Sequence, residues 1–118
     1  MIAHLVLFRL KPGLDTQARD ELADALTRAA RDIPSIRQAR VGSRITTGRS
    51  YEQLMRADYP FAAILEFDDV NGLRAYLDHP VHEQLAHTFF ACVEDALMYD
   101  FELWETEEGI RRISDAVK

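Results

Sequence analysis

The chain has 118 residues, a formal net charge of −6, and 47% hydrophobic against 29% charged residues. That is one globular domain, long enough to bury a core and too short for two. The acidic balance argues against nucleic-acid phosphates and anionic membrane surfaces as partners, and no apolar run approaches the roughly 20 residues of a membrane span. A lone cysteine, Cys92, rules out an intrachain disulfide and fits a reducing compartment. A strand-like run follows Met1 directly, with no secretory leader pattern, so a cytoplasmic protein is expected.

Ile2 to Leu10 reads as the first strand, with Ile2, His4, Val6, Phe8 and Leu10 on one face and Ala3, Leu5, Leu7 and Arg9 on the other. Both faces are mostly apolar. After the turn Lys11-Pro12-Gly13, with Asp15 or Thr16 as N-cap, Ala18, Leu22, Ala25, Leu26, Ala29 and Ile33 recur at helical spacing opposite a charged face, and Pro34 stops the helix. Ile36 to Thr46 is expected as a second strand, with a bulge at Gly42. Thr47 to Pro60 is the one long irregular stretch, read as a lid or binding loop with a helical turn over Glu52–Arg56. Its arginines, and Arg44 before it, are read first as a solvated face. Phe61 to Phe67 is a third strand, Asp68 or Asp69 caps a short helix, and a fourth strand covers roughly Ala96 to Trp104. The last residues, 105–118, carry Ile110, Ile113 and Val117 at helical spacing, an amphipathic tail that docks on the body or contacts a partner.

The stretch with the most chemistry is Tyr76-Leu77-Asp78-His79-Pro80-Val81-His82. Pro80 lacks an N–H and pushes His79 out of the helical region, so one helix ends near Leu77 and another starts near Val81. His82 then shares an apolar face with Leu85, Ala86 and Phe89. Cys92 lies among Phe89, Phe90 and Val93 and reads as packing.

The order strand, helix, strand, strand, helix pair, strand is the split βαβ pattern of an α+β, ferredoxin-like fold: a four-stranded antiparallel sheet with helices on one face. The first and third strands are apolar on both sides, so a second sheet is expected to cover the open face. Two copies meeting sheet to sheet would form a homodimeric α+β barrel.

Beyond this pattern, the chain resembles the stress-responsive dimeric A/B barrel (Dabb) family. The resemblance rests on Met1 to Gly13, Ile33-Pro34-Ser35-Ile36, Glu66-Phe67-Asp68, Tyr76 with His79-Pro80-Val81-His82, and Asp100-Phe101. It covers residues 1–103 in unbroken order, within a domain taken as 1–104. It implies the ferredoxin-like protomer and the sheet-to-sheet dimer. A characterised member, a polyketide cyclase forming olivetolic acid by a cofactor-free aldol condensation, implies roles for three residues here. His82 matches its essential histidine, Tyr76 a substrate-orienting tyrosine, and His4 a histidine of the first strand. A second active-site tyrosine of that cyclase falls at Leu26, and the 47–60 loop also departs from it.

A neutral imidazole is suited to removing an acidic C–H proton beside a carbonyl. His82 would be the base, Tyr76 would hydrogen-bond the developing enolate oxygen, and His4 would orient or assist. The set needs no metal or other cofactor. His79, His82 and Glu83 do not make a zinc site by spacing, because Pro80 breaks the helix they would share, and His87 is expected at the surface. Against catalysis stands a plainer reading, in which the histidines cap a helix or sit satisfied in the core and Tyr76 packs its ring. Two functions therefore stay open: a metal-free acid/base enzyme of cyclase, isomerase or lyase type acting on a hydrophobic carbonyl or phenolic compound, and a non-catalytic, stress-associated dimeric binding protein.

Overall fold

The computed structural model describes residues 1–117; Lys118 and the side chain of Val117, both assigned to the tail, lie outside the described residues. Four antiparallel strands form the expected sheet: β1 (Ile2–Leu10), β2 (Gln38–Ser43), β3 (Phe61–Phe67) and β4 (Val93–Glu102), in the order β2-β3-β1-β4. The helices are α1 (Thr16–Asp32), α2 (Val70–Asp78), α3 (Pro80–Cys92) and α4 (Thr106–Val117).

Register decides what each face carries. His4 on β1 stands between Leu65 of β3 and Asp100 of β4, Val6 between Ala63 and Met98, and Phe8 between Phe61 and Ala96. Ile2, Val6, Phe8, Ala63, Leu65 and Phe67 join Leu22, Ala29, Leu73, Leu85 and Phe89 in the core. On the opposite face Leu5 pairs with Ile64 and Tyr99, Leu7 with Leu97, and Ala3 with Phe101. Among the described residues this face stays open along β4, where Tyr99 is 54% and Phe101 49% exposed.

The starts of α1, α2 and α3 each have a local cause. Asp15 accepts from the Ala18 N–H at 2.8 Å and Asp69 from the Gly72 N–H at 2.9 Å, both N-caps that satisfy an otherwise orphaned donor. Gly72 also lets α2 lie close on β3, because a Cβ there would come within 3.3 Å of Phe67 Cβ. At the α2–α3 junction Pro80 opens α3, and His79 Nδ1 accepts from the Val81 N–H at 3.1 Å. Cys92 ends α3 and Val93 begins β4 with no intervening turn, three residues earlier than sequence periodicity placed it.

Three expectations need correction. β2 is shorter than Ile36–Thr46, and it pairs through Gly42 without a break. The irregularity falls instead between Arg9 and Leu10 against β4. The helical turn of the long loop is a 3-10 segment at Ser50–Leu54, fixed where Glu52 accepts from the Thr47 and Gly48 N–H groups at 2.9 and 2.8 Å. That loop is tied down by Arg44–Asp58 at 2.7 Å and by the Tyr59 hydroxyl donating to Asp95 at 3.0 Å. It borders a groove with Leu7 and Ile64 of the open sheet face. The cavity described below has no residue from it. The tail is helical, with Arg112 stacked 3.7 Å above the Trp104 ring centre. Ile110 and Ile113 remain 60% and 67% exposed, so these two positions of the α4 stripe are not docked on the body.

Candidate functional site

Between the sheet and the helices lies a cavity of about 190 Å³, lined by His4, Tyr76 and His82 among apolar side chains such as Leu26, Leu65 and Phe89. Three elements supply the polar groups. The alternation of β1 turns His4 inward, the apolar face of α2 carries Tyr76, and α3, restarted by Pro80, presents His82 from its first turn.

Tyr76 stands between the two histidines. Its ring centre is 5.7 Å from that of His4 and 4.6 Å from that of His82, the latter edge to face, and Phe67 closes its other side at 5.3 Å. The residue is only 3% exposed. Burial, helped by the Asp100 carboxylate, pushes the phenol up to about 12, so it stays protonated and able to donate.

His4 Nδ1 is 2.6 Å from Asp100 Oδ1. A carboxylate only accepts, so Nδ1 carries the proton and Nε2 is the nitrogen set by that bond. His82 is held below its ordinary value of 6.5 by burial first and by His4 second, while a hydrogen bond to the Leu77 backbone works the other way. It is therefore mostly neutral at pH 7, with one ring nitrogen able to take a proton.

All three residues singled out from sequence line this one cavity. His79 is spent on the cap of α3 and His87 is at the surface, as expected. Among the described residues no three His, Cys, Asp or Glu side chains are grouped to hold a metal ion. Cys92 is buried, its thiol 3.7 Å from the Ala18 carbonyl. Sequence reasoning missed Asp100 as a partner in the site. The alternation of β4 put it on the face of Met98, but only the β1–β4 register brings it opposite His4.

Fold and site together define a ferredoxin-like protomer with an open, apolar sheet face and, beneath its helices, an apolar cavity edged by acid/base side chains. Residues 2–103 match the model of the stress responsive A/B barrel domain, Dabb, and the chain belongs to that family. Among solved structures it is similar to a dimeric ferredoxin-like protein of unknown function from Thermobifida fusca. The two are 25% identical over 86% of this chain and 90% of that one, with a TM-score of 0.67. A Dabb family protein from Mesorhizobium loti is 22% identical over 87% and 96% of the two chains, with a TM-score of 0.69. The hydroxynitrile lyase of Passiflora edulis shares the fold at a TM-score of 0.73, with 20% identity over 89% of this chain and 94% of that one. No curated protein matches the sequence significantly.

Proposed function

We propose that this protein binds a small hydrophobic carbonyl or phenolic compound in the cavity beneath its helices and performs metal-free acid/base chemistry on it. The observation that carries this reading is Tyr76, buried in ring contact with both His4 and His82 on the wall of one apolar cavity. The neutral nitrogen of His82 takes the C–H proton beside a carbonyl, and the C–H electron pair moves into the enolate. The Tyr76 hydroxyl donates to the enolate oxygen, and His4, fixed by Asp100, orients the substrate from the far side. The proton on His82 returns to carbon or to a leaving group, which gives isomerase, cyclase or lyase outcomes from the same apparatus. A lyase among proteins of this fold and the cyclase that the family motifs resemble both support that range.

The functional unit in this reading is a homodimer of the 1–104 domains, closed over the open sheet faces, with 105–118 as an appended tail. The dimeric description of the Thermobifida fusca protein supports it. A reducing, cytoplasmic setting belongs to the same reading and rests on the single, buried Cys92. A second reading, a stress-associated binding protein without turnover, is favoured by the hydrogen bonds already engaging both histidines, His4 with Asp100 and His82 with Leu77.

Deuterium exchange at the α-carbon of small ketones, followed by proton NMR in D2O, separates the two. Exchange above the buffer rate that falls at least about a hundredfold in His82→Gln, with the ketone still bound, is the expected result for a general base. Binding without enhanced exchange in the wild type would leave the second reading.

A further inference from the structure

We propose that the cavity takes only uncharged ligands and rejects carboxylates of the same shape. This rests on the reading of the cavity as the ligand site and narrows its substrate class.

The cavity wall supplies no counter-charge. Among the described residues that line it, none is Lys or Arg. On α1, Arg28 lies instead in the separate groove toward α3, 3.4 Å from Gln84. Among the described residues, the charged group hydrogen-bonded to a lining side chain is the Asp100 carboxylate, 2.6 Å from His4. Whether or not His4 holds a second proton, that pair carries a net charge of zero or below. Burial keeps His82 neutral around pH 7 and so supports the same conclusion. Val41 and Phe90 are the most exposed of the large apolar lining residues, at 61% and 62%, so the approach from solvent is apolar as well. A carboxylate entering here would leave its water shell, find no cation, and meet the field of Asp100. An unpaired buried anion is disfavoured by several kcal/mol, which makes the expected discrimination about a hundredfold or more. A ketone or phenol of equal size loses little solvation and keeps the Tyr76 and His82 hydrogen bonds within reach.

The test uses matched pairs at pH 7.5, acetophenone against benzoate and 2-heptanone against hexanoate, titrated into the full-length protein. Binding is read from the Tyr76 and histidine ring signals in NMR spectra. The ketone of each pair is expected to bind at least about a hundredfold more tightly than its carboxylate. In Met98→Lys, a substitution at a half-exposed lining position that gives the wall a cation, the gap should shrink at least tenfold. Carboxylates binding as tightly as the ketones in the wild type would overturn the inference and leave the ligand-binding reading standing. An unchanged gap in Met98→Lys would count against the missing counter-charge as its cause. If neither member of either pair moves these signals, both the inference and the function proposed for the cavity fall.

Discussion

His82 illustrates how much a single environment decides. Outside a protein its ring would be half protonated near 6.5, and its half-buried place beside Tyr76 lowers that value. The shift has a consequence for stability. Between the folded value and 6.5 the unfolded chain binds the proton more readily than the native one, so stability is full above that window and declines as pH falls through it. Urea denaturation from pH 8 to pH 5 should show this decline in the wild type, and the difference between wild type and His82→Gln should change by pH in the same window. Parallel curves for the two proteins would mean that His82 titrates alike in both states. Tyr76 is the complementary case: its phenol stays protonated across the whole range, a donor and never the base.

Among the secondary-structure elements, the α2–α3 junction does the positioning. Proline at 80 ends one helix and starts the next, and the bond from the Val81 N–H to the His79 ring replaces a side-chain cap of the usual Ser or Asp kind. Removing it in His79→Ala should cost about 1 kcal/mol in denaturant unfolding, the ordinary value of a lost N-cap. Because the first turn of α3 carries His82, the variant should also broaden the His82 ring signals while leaving those of His4 on β1 sharp. No loss of stability would show that Pro80 alone is sufficient to start the helix. The long loop makes a different point. Its polar composition resembled a lid, yet two of its carboxylates are held in local bonds, Glu52 by the Thr47 and Gly48 amides and Asp58 by Arg44. It shapes the open face of the sheet and contributes nothing to the cavity.

On the scale of the whole molecule, the uncovered sheet face dominates. Leu5, Ile64, Leu97, Tyr99 and Phe101 make a contiguous apolar surface, the kind that marks an interface rather than a solvated wall. A charge at its centre should therefore separate the subunits without harming the protomer, whose core lies on the other side of the sheet. For Tyr99→Asp, sedimentation equilibrium should fall from a dimer to the 13.5 kDa protomer mass with an unchanged far-UV spectrum. A monomeric wild type, or a variant that stays dimeric, would refute the sheet-to-sheet arrangement. The cavity and this face lie on opposite sides of one sheet, so loss of the dimer should not by itself empty the site.

What the sequence determined alone is what depends on local periodicity and on the chemistry of single residues. Alternation marked β1 and β3 as apolar on both faces, the i, i+3, i+4 spacing gave α1 and α3, and the fixed φ of proline gave the break before His82. The element order then left the ferredoxin-like arrangement, and the doubled apolar faces pointed to a second copy. The tertiary structure alone decided register, and register is a long-range property: no local pattern tells β4 which of its residues meets His4. That pairing made Asp100 the partner of His4, while the packing of α2 and α3 over β1 set the Tyr76 ring between two histidines far apart in sequence. It also left Gly42 in a regular pair and the charged loop away from the cavity, because backbone pairing and ion pairs between distant residues outweighed what those short stretches signalled by composition.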